Sequence, residues 1–130
     1  MTENAEKILN EFHNFDDGLL LTFEYSYPTN QPLTARIVAY GKNHSTENQH
    51  WEKVEFLATD IEEIKIKIKG NQFNSITTGI RLLKFNNLWC LDIDGNYNFD
   101  KDPASLKEIQ QYGECYIIAS SIKARKLIEL

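Results

Sequence analysis

The chain reads as a β-rich α+β domain: an antiparallel bent sheet, or a two-sheet sandwich, of seven or eight strands with two short helices. Three observations predict this. Apolar residues alternate with polar ones in several short stretches, most plainly where Ile64, Ile66 and Ile68 interleave with Lys65, Lys67 and Lys69, the period of a strand with one buried face. Clusters of Asn, Asp, Gly and Pro separate those stretches, as turns require. The connections are too short for parallel crossovers, so neighbouring strands pair antiparallel.

Taken in order, the chain opens with a short helix over about Glu3–Phe12. Thr2 is placed to cap it, Glu3 and Glu6 lie in its first turn, and Ala5, Ile8, Leu9 and Phe12 form one stripe. The segment His13–Gly18 turns the chain. Leu19–Tyr27 is the first strand, with Leu19, Leu21, Phe23, Tyr25 and Tyr27 on one face. Pro28, Asn30 and Pro32 break it, and Leu33–Tyr40 returns as a hairpin. Gly41–His50 is polar and unpatterned, the longest loop and a place where binding residues collect.

Trp51–Gly70 reads as two strands joined by an acidic corner at Asp60, Ile61, Glu62 and Glu63, with Val54, Phe56 and Ala58 forming the apolar face of the first. On that reading Glu55 faces Lys65 or Lys67 across the pair. Ile76–Asn86 and Leu88–Ile93 form a second hairpin turning at Asn86–Asn87, residues that tolerate positive φ. Asp102 and Pro103 give a cap and a first helical residue, for a helix running to Tyr112 and stopping at Gly113. Glu114–Ile122 is a strand, and Lys123–Leu130 continues it or adds a last one.

With 130 residues there is one domain, 1–130, and one core. Hydrophobic residues make up 42% and charged residues 25%, ordinary values for a globular chain. No apolar run reaches the roughly 18 residues of a membrane span, and the acidic start is unlike a signal peptide; a cytoplasmic protein with no membrane partner is expected. Cys90 and Cys115 lie in apolar strands and read as free buried thiols, with a disulfide between them as the alternative. The net charge of −5 divides into −8 over residues 1–63 and +3 over residues 64–130. Such acidity disfavours nucleic acid, although Lys65, Lys67, Lys69, Arg81, Lys84, Lys123, Arg125 and Lys126, with Tyr97 or Trp89 as stacking platforms, are the residues a strand of it would use.

No catalytic or cofactor motif emerges. The run Asp92–Asp102 is dense in oxygen ligands, yet neither placement on a calcium loop puts Gly and Glu where such loops need them; a turn at Asp94, Gly95 and Asn96 accounts for it. His13, His44 and His50 are scattered, and an enzyme would need His44 or His50 to meet Cys90, Ser120 or a carboxylate in a cleft. No cofactor or metal is expected.

The spacing of Trp51, Val54 and Phe56, then Asp60-Ile-Glu-Glu-Ile64, resembles the small immunity proteins of bacterial polymorphic toxin and contact-dependent growth inhibition systems. Phe12-His13 before the first strand, Leu91-Asp-Ile-Asp-Gly-Asn96 and Tyr116-Ile-Ile-Ala-Ser fit the same layout. The basic tail SIKARKLIEL and the helix at Pro103 depart from it. The resemblance implies a non-enzymatic cytoplasmic inhibitor, monomer or homodimer, that binds the C-terminal domain of one cognate toxin. The acidic first half would steer it toward a basic toxin such as a nuclease. The partner-binding residues expected are Glu47, Trp51, Glu52, Asp60, Glu62 and Glu63. The alternative is a small-ligand or carbohydrate-binding β-domain with Tyr40, Trp51 and the 41–50 loop at a pocket mouth.

Overall fold

A computed structural model describes residues 4–95 and 101–128, so Thr2, Glu3, Asn96 and Tyr97 lie outside the described residues. The elements are α1 (Ala5–Glu11), a 3₁₀ turn (His13–Phe15), β1 (Leu19–Ser26), β2 (Thr34–Lys42), β3 (Trp51–Ile66), β4 (Ile80–Phe85), β5 (Leu88–Ile93), α2 (Leu106–Tyr112) and β6 (Cys115–Leu127). The six strands of the described residues form one antiparallel sheet in the order β1-β2-β3-β6-β5-β4. None of the described helices is long and apolar enough to cross a membrane.

The seven or eight strands and the second sheet of a sandwich are corrected here. What reads as a strand pair at Trp51–Gly70 is one strand of 16 residues. The acidic corner is real, but it is a bulge: Asp60 has a left-handed φ of 53° and the pairing with β6 slips between Ile61 and Glu63. A bulge inserts a residue and bends the strand without reversing it. Val54, Phe56 and Ala58 face the core before the bulge, and Ile61 and Ile64 face it afterwards. β6 changes phase opposite, with Ala119 inward and then Ile122 and Ala124. Of the two readings of the segment after the expected Glu114–Ile122 strand, the structure shows continuation, as one strand Cys115–Leu127.

The sheet is bent, and the segment 67–79 shows how far. Leu20 N–H bonds Asn74 O and Ile76 N–H bonds Gly18 O, both at 2.8 Å, beside β1. Three residues later Thr77 N–H and Thr78 Oγ1 donate to Asp94, just past β5, at 3.0 and 2.8 Å. β1 and β5 are four places apart in the sheet, about 19 Å if flat at ~4.8 Å per strand, whereas three extended residues reach about 10 Å. The sheet must curl for one short segment to hold both.

Inside the curl, α1 and the 3₁₀ turn place Ile8, Leu9, Phe12 and Phe15 against Ile37, Ala39, Val54, Phe56 and Leu91. Asn4 caps α1 by accepting from Lys7 N–H at 3.1 Å. In β1 a register slip between Leu20 and Thr22 turns Leu20 and Phe23 inward and leaves Leu21 exposed, which corrects the single-face reading of that strand.

On the outer face α2 covers only the β4–β5–β6 end, where Ile109 packs on Cys90, Tyr116 and Ile118. Its cap is Ser105 rather than Asp102, and Glu108 accepts from Ala104 N–H at 3.0 Å. The Ser-x-x-Glu spacing is a capping-box signature, and it outcompetes the Asp-Pro start. Ser105→Ala should lower stability by about 1 kcal/mol, read as a shift in the urea midpoint; an unchanged midpoint would mean that Asp102 still caps the helix.

Candidate binding face

The other half of the outer face carries none of the described helices, and the strand register lays out its side chains. In β3, residues 51, 53, 55 and 57 alternate with the core-facing 54, 56 and 58, so they point outward. Their partners share that side. Trp51 lies opposite Lys42, Lys53 opposite Tyr40 and Leu127, Glu55 opposite Val38 and Arg125, and Leu57 opposite Arg36 and Lys123. β1 adds Thr22 beside Val38 and Glu24 beside Arg36. The result is a four-stranded platform with apolar side chains among charged ones.

Its centre is Glu55, 7% exposed. Arg125 Nε donates to Glu55 Oε1 at 2.7 Å and Arg36 Nε to Oε2, while Arg36 Nη1 also reaches Glu24 at 3.3 Å. Burial pushes the Glu55 carboxyl up more than any other single cause, but the two guanidinium hydrogen bonds and their charges together outweigh it, and its pKa is lowered. The same bond to Glu55 raises Arg36. This corrects the expected pairing with Lys65 or Lys67. Because β3 does not fold back, those lysines lie further along the same strand and the neighbours of Glu55 come from β2 and β6.

Around that centre lie exposed apolar groups. Trp51 is 44% and Leu57 38% exposed, and the Tyr40 and Trp51 rings pack at 5.2 Å with a 44° tilt. Trp51 is thus a surface residue, held upright by Tyr40.

The six residues expected to bind a partner do not form one patch. Trp51 is on the platform, but Glu52 has the opposite strand parity and accepts from buried Asn43 at 2.8 Å. Glu47 is exposed in the 43–50 loop. Asp60 is exposed at the bulge, nine residues from Trp51, or about 30 Å along the strand. Glu62 is exposed nearby, whereas Glu63 is tied to the α2 side by Tyr116 Oη and Gln110 Nε2, each at 3.1 Å. Arg36 and Val38 are site residues the sequence reading does not single out, and Arg125 enters it only as a nucleic-acid contact. The alternation Thr34, Arg36, Val38, Tyr40, Lys42 marks an outward row, but the identity of its neighbours needs the register.

Other candidates fall into separate places. Burial, with repulsion from acids, pushes Cys90 and Cys115 each up to about 12; both are free and buried, so neither is a thiolate near neutral pH. Cys90 lies beneath α2, while His44 stacks on His13 at 3.6 Å with rings 2° from parallel. Desolvation, then repulsion from His13 and Lys42, lowers the His44 pKa. Asp94 uses its carboxylate to hold Thr77 and Thr78, and among the described residues no three metal-binding side chains cluster.

Several of the basic residues a nucleic acid would use are already engaged. Lys126 contacts Glu11 at 2.8 Å, Arg81 contacts Asp102 at 3.2 Å and Lys84 sits over Trp89. A cavity of about 430 Å³ opens between β1, the 67–76 segment and the ends of β5 and β6, and a smaller one lies by Trp89 and Ser121. Tyr40 and Trp51 line neither, so they do not form the pocket mouth expected of a small-ligand site. Comparison with protein families, curated proteins and solved structures finds no match to this chain.

Proposed function

We propose that this protein is a non-enzymatic binding module that neutralises a cognate bacterial toxin domain in the cytoplasm by direct protein–protein contact. The observation that carries the reading is the uncovered platform of Trp51, Tyr40 and Leu57 around the Glu55 network. A face mixing an aromatic anchor, aliphatic groups and arginines has the composition of a binding hot spot. A standard interface takes roughly 800 Å² from each partner, so a partner seated here also reaches the neighbouring 43–50 loop with Glu47. The resemblance of the Trp51–Ile64 stretch to immunity proteins supports a toxin as that partner.

The test is co-purification with the C-terminal domain encoded by the large open reading frame immediately upstream, followed by titration. A tight one-to-one complex that inhibits the toxin is expected. Trp51→Ala should weaken it by about 30-fold, the ~2 kcal/mol of a hot-spot residue, with the fold unchanged because the ring is exposed. A folded protein that neither binds nor inhibits the domain overturns the toxin reading for that pair.

A further inference from the structure

We propose that the partner presents an acidic protein surface to this platform, so that recognition runs opposite to the charge of the chain as a whole. The proposal rests on the reading above for the partner's identity, but its chemistry follows from the register. The chain carries −5 overall. Among its described residues the platform, by contrast, carries the basic residues Lys42, Lys123, Arg36 and Arg125 against the acids Glu24 and Glu55. Glu55 is buried and already bonded on both oxygens to the two arginines. Among the described residues a partner therefore meets more cations than acids, with Trp51 and Leu57 between them. Most of the acids that give the chain its net charge lie off the platform, Asp60 and Glu62 being about 30 Å or more along β3 from Trp51.

Cations among apolar groups favour carboxylates that arrive with apolar side chains of their own. Single-stranded nucleic acid would need aromatic faces open for stacking. Tyr40 and Trp51 instead pack on each other, and the acidic remainder of the molecule repels a long polyanion.

The experiment titrates the isotopically labelled full chain with three probes: a twelve-residue peptide alternating Glu with Leu and Phe, its Lys counterpart, and a twelve-residue oligothymidylate. The acidic peptide is expected to shift the Trp51 indole signal and the amides of Tyr40, Leu57 and Lys123, with affinity falling as salt rises. Lys42→Glu with Lys123→Glu should weaken that binding about tenfold, while Glu62→Lys with Glu114→Lys, both exposed towards the opposite end of the β3–β6 pair, should not. The same two double variants are then read against the upstream-encoded toxin domain, where the same order is expected. Preference of the platform for the Lys peptide, binding of the oligothymidylate there, self-association through it, or no platform shift with any probe overturns the proposal. Absence of toxin binding alongside the expected acidic-peptide map rejects the partner's identity and leaves the surface chemistry standing.

Discussion

Phe15→Ala should cost about 3–5 kcal/mol, the range for losing a buried aromatic ring, and that is a large share of the 5–15 kcal/mol of a typical domain. Phe15 is 1% exposed, stacks on Phe12 at 4.7 Å and meets Phe56 edge-on at 6.1 Å. It also ends a run of three residues, His13, Asn14 and Phe15, whose φ angles of 48°, 57° and 58° are all left-handed. Non-glycine residues hold such angles only where the surroundings impose them. The imposition here is the ring in the core, with Gly18 N–H on Phe15 O at 2.8 Å and Asp17 N–H on Ile76 O at 2.9 Å.

The ring rests on Gly41, where an added Cβ would come within 2.7 Å of Phe15 Cδ1. Gly41→Ala should therefore cost about 1–3 kcal/mol in the native chain by overpacking. In the Phe15→Ala background the same methyl enters vacated space and should cost less. Urea denaturation of the four proteins in this cycle checks both statements. Strictly additive losses would mean that the ring does not seat on Gly41.

That contact illustrates where the sequence could be read and where it could not. Alternation located the strands, and Asn86–Asn87 located a hairpin turn, because both signals are local; Asn86 indeed has a φ of 57°. The apolar stripe Ala5, Ile8, Leu9 was legible for the same reason. At Asp60 the same kind of local signal misled. An acidic cluster between two alternating runs suits a reversal or a bulge equally, and the choice depends on β6, some sixty residues away. The candidate site suffered most, since it is a property of register. Trp51 was visible as an aromatic anchor, but its platform is made by pairing β3 with β2 and β6. Arg125 looked like part of a basic tail until that pairing set it beside Glu55.

Glu55→Gln should destabilise the protein by about 2 kcal/mol at pH 7. Breaking a buried ion pair costs more in general, but the Arg36 and Arg125 side chains are 37% and 49% exposed, so water takes over part of their solvation. The effect has a defined pH dependence. The folded carboxyl lies below its ordinary value of 4.5, so the unfolded chain takes up the proton first as pH falls. The stabilisation is complete above the unfolded pKa and disappears as pH drops through the folded one. Glutamine does not titrate, so the gap between the two proteins should be constant from pH 7 to about 5 and narrow below about 4.5. Urea midpoints at pH 7, 5, 4 and 3 measure it. A gap that stays constant to pH 3 would show that the carboxylate's charge does not hold the two arginines. A narrowing gap identifies Glu55 as the group that lets two guanidiniums sit close together on a face that also carries three lysines. Without it those cations repel one another, and the platform loses the order that makes its charge usable for binding.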